Sequence, residues 1–183
     1  MTGVQTCALP ISPAVAARLE QPVPDVASLL AALPEAIRTA GTAGTGVLRW
    51  AQDVPAPDVL PEVGVWLPAA LADEDDPRVP AWLRPFGGEV LVALDSEGRY
   101  LAGVGLKRHH ESGREIAVVT DERARGRGLA RRLVAQAARA VLAQGQAVIY
   151  LHAQNNEASA RVARASGFPD TGWLVLGFWS SAP

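Results

Sequence analysis

Apolar and polar residues alternate through the middle of the chain with the two-residue period of β-strands, in runs separated by short polar turns. The runs Glu89–Asp95 and Tyr100–Lys107 are predicted as two strands joined by a hairpin turn at 96–98. After a second turn at 109–113, Glu115–Thr120 is predicted as a third strand. Because short turns join antiparallel strands, this stretch predicts an antiparallel meander.

The pattern changes to the helical period after the third strand. From Gly128 to Gln144 the apolar residues recur every three or four positions, which predicts an amphipathic helix that ends at Gly145. The short apolar run Ala147–Leu151 is predicted as a buried strand. Because a helix crosses over between them, this strand is expected to run parallel to the third strand of the meander.

The C-terminal part of the chain carries helix boundary signals. Asn156 is placed to cap a helix that runs through Ser166, and Gly167 followed by Phe168 fits the end of a helix in a Schellman motif. Trp173–Trp179 is predicted as a closing strand. Strands and helices together indicate an α+β fold.

The N-terminal part has weaker patterns. Residues 13–45 are predicted as helical, with Asp25 capping a first helix and Pro34 starting a second. Residues 46–51 are predicted as a short strand. Seven prolines interrupt residues 54–88, which are predicted as a long loop with one short helix.

These patterns divide the chain into three segments. Residues 1–12 look like the translation of a sequencing adapter, so this tail, with Cys7, is left out of the fold prediction. Residues 13–84 are expected to form an N-terminal region of helices and loops, for which the remnant of a truncated lobe is one interpretation. Residues 85–183 are expected to form the core domain. A single cysteine excludes internal disulfides and Cys-based metal clusters.

Composition indicates a globular protein with an uneven charge distribution. The 183 residues are 49% hydrophobic and 20% charged, with a formal net charge of −2. No apolar run approaches the roughly 18 residues needed to cross a membrane, so a cytoplasmic protein is expected. Residues 1–98 hold 5 basic and 13 acidic side chains, whereas residues 99–183 hold 12 basic and 6 acidic ones. The second half is therefore expected to attract an anion.

The link between the third strand and the long helix has the chemistry of an anion site. Gly126 and Gly128 stand where a strand turns into a helix, so the backbone can approach a ligand and the helix start offers N–H groups. Arg123, Arg125 and Arg127 add three positive charges. A diphosphate fits this density of charge, and a tight turn with solvated arginines is the alternative.

Two common nucleotide motifs do not fit this link. A dinucleotide-binding fingerprint needs Gly or Ala at the position of Arg131, and a P-loop needs a lysine, whereas Lys107 is the single lysine of the chain. Nucleic-acid binding is also not expected, because the basic half lacks a face of interleaved aromatic residues.

The chain resembles the GNAT superfamily of acyl-CoA-dependent N-acetyltransferases in two motifs, over about residues 85–180. The pyrophosphate motif Gln/Arg-x-x-Gly-x-Gly/Ala is matched by the six residues that begin with Arg123. The second motif is an Asn, then Ala-Ser, then a helix that ends in Gly-Phe, and its matches are Asn156, Ala158–Ser159 and Gly167–Phe168.

The resemblance implies a GNAT fold, a mixed and largely antiparallel sheet flanked by helices in an α/β/α arrangement, with acetyl-CoA as acyl donor and no metal. The strands that begin at Glu115 and Ala147 would diverge to admit the thioester, and the first would pair with the pantetheine arm through its backbone. Asn156 would contact the cofactor from the last helix, and it can also serve as a plain cap of that helix. The implied cofactor-binding residues are Val118, Val119, Thr120, Arg123, Arg125, Gly126, Arg127, Gly128, Leu129, Ala130, Asn156 and Ser159.

The implied reaction is the attack of a neutral amine, from a small molecule or a peptide, on the carbonyl of acetyl-CoA. An alkyl amine has a pKa of about 10 and is mostly protonated at pH 7, so a base is useful. Glu115 at the start of the cofactor strand and His110 in the preceding turn are the candidate bases, and a solvated glutamate and a surface histidine are the alternatives. His152 is expected to be structural.

One position departs from the family pattern. Many members place a tyrosine in the last helix as general acid for the leaving thiolate, whereas Ala163 occupies that place here. Tyr100 and Tyr150 are the two tyrosines of the chain. A non-catalytic CoA-binding module is therefore the alternative to an active enzyme.

Overall fold

The computed structural model describes residues 42–74 and 76–179, and the helices predicted within residues 13–39 lie outside them. The strands are β1 (Thr42–Ala51), β2 (Val65–Pro68), β3 (Glu89–Leu94), β4 (Tyr100–His110), β5 (Gly113–Thr120), β6 (Ala147–Ala153) and β7 (Trp173–Trp179). The α-helices are α1 (Leu129–Ala143) and α2 (Glu157–Ala165), and 3₁₀ helices cover Ala69–Glu74, Ala81–Phe86 and Glu122–Ala124.

The chain divides into two compact units. The larger, Val47–Trp173, contains both α-helices and strands in the order β2-β3-β4-β5-β6-β1. In the smaller, the described residues are the start of β1 and nearly all of β7, which are neighbouring strands. From β2 to β5 the strands are antiparallel, whereas β5 and β6 are parallel. This topology confirms the predicted α+β class and its mixed, largely antiparallel sheet.

The meander, the crossover and the last helix agree with the sequence prediction. β3, β4 and β5 are antiparallel neighbours, α1 begins directly after Gly128, and β6 joins β5 in parallel. At the end of α2, the Phe168 N–H donates to the Ala163 carbonyl oxygen at 2.9 Å and the Gly167 N–H to that of Arg164 at 3.2 Å. These are the two hydrogen bonds of the predicted Schellman motif.

The structure corrects the prediction in three places. The loop predicted at 54–88 contains β2 and two 3₁₀ helices. β2 was missed in the sequence analysis because a four-residue strand that ends in proline is too short to show an alternating pattern. β1 begins at Thr42, inside the stretch predicted as helical, because sheet pairing overrides the local preference. β4 extends through His110, which pairs with Gly113, so His110 ends a strand and does not lie in the turn.

Two apolar cores pack against the larger unit's sheet. Strand alternation directs Val90 and Val92 to one face and Leu91 to the other. Leu91 belongs to the core formed with α1 and α2, which includes Leu133. Val90 and Val92 belong to the core formed with the first two 3₁₀ helices, which includes Leu83.

The second core fits closely over β4. A Cβ on Gly105 would come within 2.3 Å of the Phe86 ring, and a Cβ on Gly103 within 3.0 Å of the Tyr100 ring. Phe86 also makes an edge contact with Trp82, with ring centroids 5.8 Å apart. The aromatic side chains reach the sheet because β4 has glycine beneath them.

A buried arginine joins β1 to β6 and to the loop after α2. Arg49 is 2% exposed, and its Nε–H donates to His152 Nε2 at 2.9 Å. Its terminal nitrogens donate to the Phe168 carbonyl oxygen at 3.4 Å and to Asp170 at 3.0 Å. Since His152 Nε2 accepts, the ring proton is on Nδ1, which lies 2.9 Å from the Ala153 carbonyl oxygen. His152 thus links β6 to the buried arginine of β1.

We predict that Gly105→Ala destabilises the fold by about 1 to 3 kcal/mol, because the added Cβ overlaps the Phe86 ring. Urea unfolding measures the change. Gly113→Ala in β5 is the matched control, since its Cβ would meet only the Ala147 carbonyl oxygen, at 4.0 Å. Adding Phe86→Leu to Gly105→Ala should recover part of the loss. Equal stability of the two glycine variants would contradict the close packing.

Candidate functional site

β5 and β6 separate part-way along their length. Their parallel register runs from Gly113 opposite Ala147 to Ile116 opposite Tyr150, and ends there. β5 continues to Thr120 and keeps its pairing with β4. Among the described strands, the end of β5 therefore has a partner on one side and a gap on the other, as the predicted fold requires.

Alternate residues of β5 direct their backbone groups to opposite sides. On the side of β6, the Ser112 carbonyl oxygen accepts a hydrogen bond from the Ala147 N–H at 2.8 Å. On the side of β4, the Asp121 N–H donates to the Leu101 carbonyl oxygen at 2.9 Å. Because the direction alternates along a strand, even-numbered residues of β5 face β6 and odd-numbered residues face β4.

This alternation separates the three strand residues that the sequence analysis proposed for the cofactor. The N–H and C=O groups of Val118 and Thr120 face the gap. Those of Val119 face β4, and its carbonyl oxygen also accepts a hydrogen bond from the Tyr100 hydroxyl at 2.8 Å. Two of the three are thus oriented to pair with an extended ligand in the gap.

The chain turns from β5 into α1 through a short loop with two left-handed glycines. Asp121 caps the 3₁₀ turn by accepting a hydrogen bond from the Arg123 N–H at 3.0 Å. Gly126 has φ of 77°, and no atom lies within 4 Å of a Cβ placed on it. Gly128 has φ of 72° and caps α1 without a side chain. The first N–H groups of α1, from Leu129 onward, therefore have no side-chain cap.

The three arginines of the motif belong to the segment between β5 and α1. Arg123 donates to the Tyr100 carbonyl oxygen at 2.8 Å, and its Nε lies 3.4 Å from Asp121. Arg125 pairs with Glu122 at 3.3 Å and is 65% exposed. Exposed ion pairs of this kind are weak and can exchange for an anion. The loop thus combines backbone N–H groups with a local excess of positive charge.

The second motif lies at the start of α2. The Asn156 side chain accepts a hydrogen bond from the Ser159 N–H at 3.0 Å, which confirms the predicted helix cap. The Ser159 hydroxyl lies 2.9 Å from the Tyr150 hydroxyl, and Tyr150 is the last residue of β6 paired with β5. The start of α2 therefore contacts the point where the two strands separate.

A buried carboxylate lies beside the gap. Glu115 is 8% exposed and immediately precedes Ile116, the last paired residue of β5. Its Oε2 lies 2.6 Å from His109 Nε2 and its Oε1 lies 3.4 Å from Lys107 Nζ. These three residues, called the Glu115 cluster below, lie beside the last paired residue of β5.

The structure brings one of the two predicted bases into this cluster. Glu115 is a member, whereas the side chain of His110 lies outside the described part of the chain. Sequence reasoning missed His109. The spacing of Lys107 and His109 could have indicated it, because residues two apart on a strand share a face. In the structure both side chains contact Glu115.

The family model of the acetyltransferase (GNAT) family matches residues 56–168, which is more than half of the chain. The chain belongs to the GNAT acetyltransferase family. Both motifs of the sequence analysis lie within the matched residues: the first contains the glycine turn before α1, and the second contains α2.

Solved structures share the GNAT fold at low sequence identity. A GNAT-family acetyltransferase from Novosphingobium aromaticivorans DSM 12444 is 20% identical, with a TM-score of 0.55 over 76% of this chain and 66% of that one. A GCN5-related N-acetyltransferase-like protein from Streptococcus suis 89/1591 is 21% identical, with a TM-score of 0.54 over 79% and 67%. A GNAT-family acetyltransferase from Colwellia psychrerythraea is 14% identical, with a TM-score of 0.50 over 75% and 56%.

This chain thus spans 56% to 67% of the length of these three structures. No curated protein matches it in sequence.

The tyrosines of this GNAT chain are hydrogen-bonded inside the protein. Burial raises the pKa of Tyr100 to about 12 and also raises the pKa of Tyr150. Both phenols are therefore protonated at neutral pH. The Tyr100 hydroxyl donates to the Val119 carbonyl oxygen, whereas either hydroxyl of the Tyr150–Ser159 contact can donate. Ala163, at the helix position where many GNAT members have tyrosine, is fully buried in the core.

Two further properties bear on the site. Among the described residues, no three side chains of His, Cys, Asp or Glu come together as metal ligands. Neither α1 nor α2, the α-helices of the described region, has the length and apolar character of a membrane-crossing helix.

We predict that Asn156→Ala lowers the stability of the protein by about 1 kcal/mol, because the Ser159 N–H loses its cap. Chemical unfolding measures the loss. Asn156→Ser is the matched control, since serine also caps helices, and it should retain most of the stability. If alanine and serine variants were equally stable, the cap would contribute nothing to the start of α2.

Proposed function

We propose that this protein is an N-acetyltransferase that moves an acetyl group from acetyl-CoA to a primary amine of a small molecule or a peptide. The observation that carries the proposal is the gap between β5 and β6, which opens directly beside the glycine turn at the start of α1. One extended ligand with a diphosphate at one end would match both features.

The glycine turn is the proposed pyrophosphate site. The space at Gly126 and the uncapped N–H groups of α1, through Leu129 and Ala130, suit a close approach by phosphate oxygens. Arg123, Arg125 and Arg127 would add positive charge around the diphosphate, although Arg123 and Arg125 would first give up contacts within the loop. These residues fit the anionic end of CoA.

The end of β5 is the proposed site of the pantetheine arm. The arm would lie in the gap and exchange hydrogen bonds with Val118 and Thr120, as an added strand does. Asn156 and Ser159 would contact it from the start of α2, while Asn156 keeps its capping role. Bound acetyl-CoA would supply an activated thioester carbonyl at the separation point.

The protein's own contribution to the chemistry is proton removal and charge stabilisation. A primary amine arrives mostly as an ammonium ion at neutral pH and must lose a proton before it attacks. The Glu115 cluster lies one residue from the separation point and is the proposed acceptor of that proton. Backbone N–H groups beside the gap would stabilise the oxyanion that forms on the substrate carbonyl.

A CoA-binding module without catalysis is the second candidate. The observation that favours it is Ala163, which is buried and offers no acid for a leaving thiolate. Acetyl-CoA turnover with a panel of amines separates the two candidates. Release of CoA that depends on an added amine supports the enzyme, and binding without such release supports the module.

We predict that CoA stabilises the folded protein, by about 2.7 kcal/mol at 100 times its Kd, because the pyrophosphate site exists only in the folded state. Gly128→Glu should abolish this stabilisation, since it places a bulky negative charge at the phosphate site. Thermal unfolding with and without CoA measures both effects.

The matched control is Gly145→Glu. Gly145 has φ of 70° and lies beyond the other end of α1, so the substitution brings the same charge and a similar backbone strain away from the site. This variant should still be stabilised by CoA. A normal CoA response in folded Gly128→Glu would show that the phosphates bind elsewhere.

A further inference from the structure

The Glu115 cluster contains a histidine in contact with a buried carboxylate, His109 Nε2 to Glu115 Oε2 at 2.6 Å. From this contact we propose that His109 is the catalytic base of the acetyl transfer and that Glu115 is its positioning residue. The inference rests on the proposed function and assigns roles within that same site. It replaces both bases that the sequence suggested.

The hydrogen bond determines which ring nitrogen carries the proton. An ionised carboxylate only accepts hydrogen bonds, so the proton between the two atoms is on His109 Nε2. In a neutral imidazole the other nitrogen, Nδ1, then has a free lone pair. The contact with Glu115 uses Nε2, so Nδ1 is the ring nitrogen that this contact leaves free. The ring is thus oriented with its basic nitrogen available.

Burial favours His109 over Glu115 as the group that meets a substrate. The Glu115 side chain is 11% exposed, and its two oxygens contact His109 and Lys107. The His109 side chain is 43% exposed. His109 is therefore the member of this pair that an amine from solution can contact more readily.

The position of the cluster suits a base for chemistry in the gap. Glu115 and Ala117 lie on one face of β5, on either side of Ile116, where the pairing with β6 ends. Strands advance about 3.3 Å per residue, so Glu115 lies within roughly 7 Å of Ala117, the first residue of β5 that is not paired with β6. The His109 ring contacts Glu115, the residue next to the last paired residue of β5.

The proposed step is the transfer of one proton. The Nδ1 lone pair takes a proton from the substrate's ammonium group, the N–H bond breaks, and its electron pair stays on the substrate nitrogen. The substrate amine becomes neutral and nucleophilic, and His109 becomes an imidazolium ion. The Glu115 carboxylate stabilises that new charge through Nε2–H, and the imidazolium later returns the proton to water.

The first test uses the free protein and does not depend on activity. NMR of protein with ¹⁵N-labelled histidine distinguishes ring tautomers. His109 should carry its proton on Nε2, and His152 should carry it on Nδ1, because its Nε2 accepts from Arg49. His152 is thus an internal reference of the opposite tautomer.

Glu115→Gln should remove the tautomer preference of His109 and leave His152 unchanged, because glutamine can either donate to Nε2 or accept from it. The signals are assigned with His109→Ala. A His109 ring that carries its proton on Nδ1 alone, or that is doubly protonated at neutral pH, would overturn the proposal.

The second test is kinetic. His109→Ala should lower kcat by roughly 10²- to 10⁴-fold, the usual range for loss of a general base, with unchanged CoA affinity. Added imidazole should raise the rate of this variant in proportion to its concentration. Glu115→Gln should also be slow, but imidazole should not rescue it because the native ring is still present. Arg108→Ala, an exposed neighbour on β4, is the matched control and should keep wild-type turnover.

The outcomes separate this inference from the proposed function. An active wild-type enzyme with normal turnover in His109→Ala overturns the inference alone, as does a loss of turnover confined to Glu115→Gln or to His110→Ala. A wild-type protein that binds CoA but acetylates no amine overturns both. Slow turnover of His109→Ala with imidazole rescue supports both.

Discussion

The early end of the β5–β6 pairing is the constraint on which the rest of the site depends. A strand in the middle of a sheet normally satisfies its backbone groups on both sides. Here the ladder stops at Ile116 and Tyr150, so the groups of Val118 and Thr120 face a gap. Such groups form hydrogen bonds with water or with a ligand. An extended chain that contains amide groups can pair with them in the place of β6.

The fold holds the two strands apart through packing at the point of separation. Tyr150 is 2% exposed and packs against Phe168, with ring centroids 5.7 Å apart, and its hydroxyl contacts Ser159 of α2. Beyond that point, Arg49 binds His152 from the side of β1. The end of β6 is thus attached to α2 and β1, while the end of β5 stays with β4.

The sequence was informative where a local pattern determines the structure. The meander, α1, the Asn156 cap and the Schellman end of α2 follow from strand alternation, helical period and capping residues, and all are present. β2 was missed because four residues ending in proline carry no period. The start of β1 was missed because its pairing is with strands distant in the chain, which local propensity does not report.

The candidate site also has a part that the sequence predicts and a part that it does not. The glycine turn and the arginines are contiguous in sequence, so their proximity was predictable. The contact of His109 with Glu115 depends on the register of β4 against β5, which shifts at a bulge between Arg108 and His110. His110 was chosen from the sequence because both histidines were placed in the turn before Glu115, whereas in the structure β4 continues through His110.

Amide hydrogen exchange at the end of β5 tests the central claim most directly. In the free protein, the account predicts slow exchange at Val119, which faces β4, and fast exchange at Val118 and Thr120, which face the gap. Saturating CoA should slow exchange at Val118 or Thr120 and leave Val119 unchanged. Val118 and Thr120 amides that are already protected without CoA, or that CoA leaves unprotected while it binds, would contradict a site formed by the separation of β5 and β6.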